Sequence, residues 1–133
     1  IHINCIKQIE QYELVGFFDP AVDTAKQVET EMGVKCFESI DALMDAVDVV
    51  DIVTPTIRHF ECASKALKKR RHVFIEKPIV ATPDEANALK GLAEEAGVKV
   101  QVGHVERFNP AFIAAEPFIG EPLFIEAHRL AQF

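Results

Sequence analysis

The segment Val73-Phe74-Ile75-Glu76-Lys77-Pro78 places an acid and a base directly after an apolar run and ends in proline. The run has the character of a buried strand. Pro78 stops it, so Glu76 and Lys77 are delivered at its carboxyl end. In an open α/β sheet that edge is where ligands bind, and an ammonium beside a carboxylate there can hydrogen-bond a substrate hydroxyl or a ribose. Taken alone, the same pair is an ordinary ion pair at a strand exit. A second strand ending has similar potential: Val49-Val50-Asp51-Ile52-Val53 is broken by Thr54-Pro55-Thr56, with Arg58 and His59 in the first turn of the helix that follows. Backbone groups and small hydroxyls then face one edge, and a helix amino terminus there can approach phosphate or ribose. The plain alternative is a turn in which Thr56 caps the helix.

Asp19 follows Leu14-Val15-Gly16-Phe17-Phe18, at the strand end where a dinucleotide-binding fold places the acid that accepts hydrogen bonds from the adenosine ribose. Pro20-Ala21-Val22 offers no cation to neutralise a 2'-phosphate facing that carboxylate, which favours NAD over NADP. Asp19 can equally be a helix-capping aspartate. Gly103-His104-Val105-Glu106-Arg107-Phe108-Asn109-Pro110 concentrates an imidazole, a carboxylate, a guanidinium and an amide in one loop. His104, Arg107 and Asn109 there suit a polyhydroxylated ligand. The alternative is a salt-bridged loop with Asn109 capping the next helix.

The elements that must hold these residues alternate. Residues 21–32 have helical spacing and stop at Gly33; Lys35-Cys36-Phe37 reads as a short strand, and Ser39 can cap a helix through Ala46. The strand at 49–53 is followed by a helix over 58–69 and a strand over 72–75. Thr82, Pro83 and Glu85 then supply a cap, a first-turn proline and a capping-box acid for a helix ending at Ala96-Gly97. A strand over 99–102 follows. Strands alternating with helices through short loops predict an α/β fold with a doubly wound parallel sheet. A Gly-x-Gly-x-x-Gly turn is expected ~20 residues before Asp19, so the first strand and the Gly-rich turn fall outside this sequence, and residues 2–11 read as the rest of the first helix. Residues 1–120 are therefore expected to form a truncated dinucleotide-binding domain. Residues 121–133, with strand character over 122–129, are expected to open a second α/β domain.

Composition narrows the classes. At 133 residues the chain holds one domain at most, and no apolar run approaches the ~18 residues of a membrane span. The net charge of -7 disfavours nucleic acid as a partner. The one basic cluster, Lys65 with Lys68-Lys69-Arg70-Arg71, sits where a helix should end and suits its dipole. Cys5, Cys36 and Cys62 are odd in number and widely spaced, which indicates neither a disulfide framework nor a metal site and makes a reducing cytoplasm the expected setting.

Taken together, Phe17-Phe18-Asp19-Pro20, Asp51-Ile52-Val53-Thr54-Pro55-Thr56 with His59, the Glu76-Lys77-Pro78 turn and Val102-Gly103-His104 resemble the Gfo/Idh/MocA oxidoreductases. The resemblance implies a Rossmann domain that binds NAD(P), with Asp19, Thr54, Pro55, Thr56, His59, Glu76, Lys77 and Pro78 as cofactor-binding positions. It implies that Lys77 is catalytic, contacting substrate and nicotinamide, and that Glu76 holds it in place. It also implies a second domain, beyond Phe133, that carries the acid/base histidine, the main substrate wall and often a homo-oligomer interface. The implied activity is hydride transfer from a secondary hydroxyl of a sugar, sugar nucleotide or related polyol. Gly-His-x-Glu-Arg-Phe-Asn-Pro is similar to a branch that oxidises nucleotide-linked amino sugars. Two other readings belong to the same family, a non-catalytic dinucleotide-binding regulator and an NAD-dependent glycosidase.

Overall fold

A computed structural model describes residues 1–126 and 128. They fall in two compact units, Ile1–Gly103 and His104–Phe133. The first unit is built on three parallel strands in the order β1-β2-β3: β1 (Val49–Ile52), β2 (His72–Ile75) and β3 (Val100–Val102). Val50 pairs with Val73 and Ile52 with Ile75, while Val73 and Ile75 pair with Val100 and Val102. Because side chains alternate along a strand, this register sends those six aliphatic residues to one face. Asp51, Phe74 and Gln101 share the opposite face.

The aliphatic face is covered by α4 (Thr56–Lys68), which connects β1 to β2, and by α5 (Pro83–Ala96), which connects β2 to β3. Ala63, Ala66 and Leu67 lie three and four positions apart on α4 and are all fully buried, with Leu89 of α5 and Met44 of α3 (Ile40–Ala46) in the same cluster. Small alanines let the helix approach the sheet closely, and each fully buried Leu or Ile adds about 1.5–3 kcal/mol.

The local signals at helix ends are those read in the sequence. Ser39 Oγ accepts from the Ala42 N–H at 3.1 Å at the start of α3. Thr82 Oγ1 accepts from the Glu85 N–H, and the Glu85 carboxylate accepts from the Thr82 N–H, closing a capping box on α5. Gly97 ends α5 at φ 69°, a left-handed conformation that costs a residue without Cβ nothing. Two residues of the basic cluster are paired with acids. Lys65 pairs with Glu61, and Lys69 reaches Asp45 at 2.6 Å and Asp41 at 3.5 Å on α3.

Three expectations are corrected. Residues 14–18 and 35–37 form no ladder: they meet in one parallel bridge, Phe17 to Cys36, closed by the Phe17 N–H to Lys35 O (2.9 Å) and the Phe37 N–H to Phe17 O (2.8 Å). Among the described residues no further strand flanks this bridge, so nothing extends it. The helix expected over 2–11 is only α1 (His2–Ile6), followed by turns, while α2 (Val22–Met32) follows Asp19 as expected. The strand expected over 122–129 is not formed by its described residues, 122–126 and 128; residues 127 and 129 lie outside the description.

The capping box carries a direct test. Thr82→Ala removes one acceptor for the amino-terminal N–H groups of α5 and should lower stability by about 1 kcal/mol in urea denaturation of the intact protein, with Thr82→Ser close to unchanged.

Candidate functional site

The carboxyl ends of β1 and β2 lie side by side because the strands are parallel neighbours, and the pairing runs one step beyond β2. The Glu76 N–H donates to Ile52 O at 3.0 Å and the Gly103 N–H to Ile75 O at 2.8 Å. Past this point both chains turn away. Thr54 and Pro55 are exposed and Thr56 opens α4, while Lys77 and Pro78 are exposed on the adjacent turn, whose Lys77–Pro78 peptide bond is cis.

His59 joins the two turns. It is buried in the first turns of α4, 1% exposed, with Nε2 hydrogen-bonded to Thr54 O at 2.8 Å and Nδ1 to Pro78 O at 2.9 Å and Ile79 O at 3.2 Å. A carbonyl only accepts, so whichever ring nitrogen carries the proton donates to the carbonyl it faces. With its ring buried and both nitrogens engaged by main chain, His59 is a strut between the loops.

Glu76 and Lys77 also differ from the simple ion pair. The Glu76 Oε2 accepts from the Lys77 backbone N–H at 2.9 Å, so the acid fixes the turn through main chain. The Lys77 ammonium has no hydrogen bond or ion pair among the described residues and is free to meet a ligand. On its other oxygen, Glu76 lies 3.3 Å from Nε2 of His2, whose Nδ1 is hydrogen-bonded to Asp51 Oδ2 at 2.8 Å. Burial pushes the Asp51 carboxyl up, the His2 hydrogen bond and charge pull it back, and the Glu76 charge adds to the upward push. Sequence reasoning missed His2 and Asp51. The available signal was a lone acid inside an apolar strand, which in a buried setting demands a partner.

Asp19 sits two residues after the Phe17 bridge. Gly16 makes that bridge possible: a Cβ there would lie 2.5 Å from the Phe37 ring and 2.6 Å from Lys35 O. Asp19 Oδ1 accepts from the Ala21 N–H at 2.8 Å, an Asx turn leading into α2, while Oδ2 has no partner among the described residues. The residue lines an open cleft of about 450 Å³ with Phe18, Pro20 and Phe37, where Glu29 and Glu38 face a single cation, Lys26. The turn-forming and ligand-facing readings of Asp19 thus use different oxygens of one carboxylate.

The second unit carries the polar loop. Asn109 caps α6 (Pro110–Ala115), its Oδ1 accepting from the Ala111 N–H at 3.0 Å and its Nδ2 donating to Glu106 at 3.0 Å. Its amide is thereby engaged within the loop. His104 and Arg107 are exposed, without a side-chain hydrogen bond or ion pair among the described residues.

Parallel strand ends with a ribose-type acid, a small-hydroxyl turn and a free lysine agree with the match of residues 1–104 to the Gfo/Idh/MocA pattern, described as an oxidoreductase family with an NAD-binding Rossmann fold. The chain belongs to the Gfo/Idh/MocA oxidoreductase family. A family relative, the UDP-N-acetylglucosamine 3-dehydrogenase of Acidithiobacillus ferrooxidans, is 40% identical over 122 residues, which is 91% of this chain and 39% of that protein. Its solved structure superposes with a TM-score of 0.75 at 38% identity, covering 78% of this chain and 34% of the other. The scyllo-inositol 2-dehydrogenase (NAD(+)) of Bacillus subtilis is 33% identical over 129 residues, 91% of this chain and 38% of its own length. An NAD-binding protein from Listeria innocua superposes with a TM-score of 0.81 at 29% identity, over 88% of this chain and 35% of that one. The chain thus spans less than two-fifths of the length of these proteins.

The strut is testable by its energetics. His59→Ala removes a fully buried ring and the hydrogen bonds by which it links the two loops, and should destabilise the intact protein by about 2 kcal/mol or more, read as a lowered urea midpoint.

Proposed function

We propose that the intact protein is an NAD-dependent dehydrogenase that oxidises a secondary hydroxyl of a sugar, sugar nucleotide or related polyol. The observation that carries this reading is the unpaired Lys77 ammonium at the carboxyl edge of the parallel sheet, on a turn fixed by Glu76 and tied by His59 to the Thr54-Pro55-Thr56 loop. The family is an NAD-binding one, and the two relatives described above are named dehydrogenases of an amino-sugar nucleotide and of an inositol.

The donor set suits a dinucleotide. The free Oδ2 of Asp19 can accept from a ribose hydroxyl, and exposed Thr54 and Pro55, with half-buried Thr56, offer polar contacts along the same edge. Glu76 and Pro78 shape the turn that presents Lys77. NAD, when bound, supplies the hydride acceptor. Lys77 donates a hydrogen bond to the carbinol oxygen of the substrate and stabilises the negative charge that develops there as its proton leaves to an acid/base group contributed from outside this chain. Exposed His104 and Arg107 offer a hydrogen-bonding imidazole and a guanidinium suited to hydroxyl or phosphate groups of the substrate. The three free cysteines fit a reducing, cytoplasmic setting, and the second domain is the place for a homo-oligomer interface.

The acid-rich cleft around Asp19 favours NAD, since a 2'-phosphate would meet Asp19 and Glu38 with only Lys26 to offset them. Calorimetric titration of the intact protein should therefore give tighter binding of NAD than of NADP, with Asp19→Ala narrowing the gap; a clear preference for NADP would reverse the assignment.

Lys77→Ala should lower kcat by about a hundredfold while leaving NAD affinity within about threefold, because its charge matters most as the alkoxide forms. The measurement is NADH absorbance with a panel of nucleotide sugars, inositols and hexoses. Near-normal kcat in this variant would reduce Glu76-Lys77-Pro78 to a structural turn. NAD retention without net NADH production on any panel member would favour the regulator or glycosidase reading.

A further inference from the structure

The face of the sheet opposite the aliphatic core holds a chain of polar contacts that begins at the second residue of the sequence. His2 of α1 sets its ring edge-on to Phe74 of β2, with centroids 6.1 Å apart and planes at 67°. Its Nδ1 is 2.8 Å from Asp51 Oδ2 in the middle of β1, and its Nε2 is 3.3 Å from Glu76 Oε1 at the end of β2. All three side chains are mostly shielded, at 31%, 23% and 27% exposed for His2, Asp51 and Glu76. Gly103, just past β3, closes the fourth side: a Cβ there would lie 3.0 Å from Glu76 Oε1 and 3.2 Å from its carboxyl carbon, so the bare backbone is what admits the carboxylate.

We propose that His2 is a positioning residue for the Glu76-Lys77 turn: it holds the Glu76 carboxylate in the orientation in which Oε2 receives the Lys77 backbone N–H, and so fixes where Lys77 is presented. The inference rests on the dehydrogenase reading only for its effect on turnover; the positioning itself is a property of the fold. The physical reason is electrostatic. Asp51 and Glu76 are two half-buried acids on adjacent strands that repel one another, and the imidazole set between them turns one ring nitrogen toward each carboxylate. Remove the ring and Glu76 has neighbouring negative charge on one side and solvent on the other, so its best move is to rotate outward and release the Lys77 N–H. Asp51, within the strand, cannot follow. The contact spans sequence positions 2, 51 and 76, one from a helix and two from strands, so it ties α1 to the site edge.

The test separates the two ends of the ring. His2→Asn carries an amide near the position of Nδ1 and retains an Asp51 contact; His2→Gln carries one near the position of Nε2 and retains the contact to Glu76. In the intact protein, amide hydrogen exchange at Lys77 should accelerate about tenfold or more in His2→Asn and stay within about threefold of wild type in His2→Gln, with equal melting temperatures for the two variants. With UDP-N-acetylglucosamine as the probe substrate, kcat should fall about tenfold in His2→Asn, recover to within about threefold in His2→Gln, and leave NAD affinity unchanged. In a Lys77→Ala background His2→Asn should cost nothing further. Equal behaviour of the two variants, Lys77 exchange that follows only global stability, or full additivity with Lys77→Ala would overturn the proposal. Normal turnover in Lys77→Ala alone would count against the catalytic role of Lys77, and the Lys77 exchange rates would still decide the positioning by themselves.

Discussion

Two turns at the edge of a parallel sheet share no main-chain hydrogen bonds once their strands have ended, so something other than the ladder must hold them in register. In this protein that constraint is met by a buried histidine. Its ring spans from the carbonyl of Thr54 to those of Pro78 and Ile79, and it is carried by α4, the helix that packs most directly on β1 and β2. The aliphatic core fixes α4 against the sheet, α4 fixes His59, and His59 fixes both turns. Loss of packing at Ala63 or Leu67 would therefore be felt at both turns.

Charge is distributed with the same economy. Within the basic cluster at the end of α4, the obvious electropositive feature of the sequence, Lys65 pairs with an acid of its own helix and Lys69 with acids of α3. Lys77 is different because its neighbour Glu76 engages the backbone N–H of the turn and leaves the ammonium unpaired. A direct Glu76-Lys77 side-chain pair would have lowered the electrostatic value of that ammonium to a ligand. On the far face, His2 between Asp51 and Glu76 keeps two acids on neighbouring strands compatible.

What the sequence revealed follows from how local each feature is. The strand at His72–Ile75, the capping box of Thr82 and Glu85, and the glycine stop at Gly97 are set by nearest neighbours, and the structure places them where alternation and cap chemistry put them. Residues 14–18 look as strand-like as β2 yet make a single bridge, because ladder formation depends on what lies beside a strand, and composition does not report that. The two roles of His59 were separable only by burial: its place early in a helix is equally compatible with a ligand outside and a carbonyl inside. Asn109 posed the same choice between ligand and cap, and the cap is formed by its local hydrogen bonds. His2 was illegible for a different reason, since its partners lie 49 and 74 positions away and no periodicity links a helix residue to an acid on a strand.

The central claim is that the ends of β1 and β2, with Asp19, form one cofactor-facing edge while the basic cluster of α4 does not take part. Backbone amide shifts of the isotopically labelled intact protein, followed by NMR during titration with NAD, address it residue by residue. The account predicts saturable changes at residue 19, at 54, 56 and 76–77, and at the neighbours of Pro55 and Pro78, with residues 65–71 unmoved. Changes concentrated on residues 65–71, with the two turns silent, would contradict it.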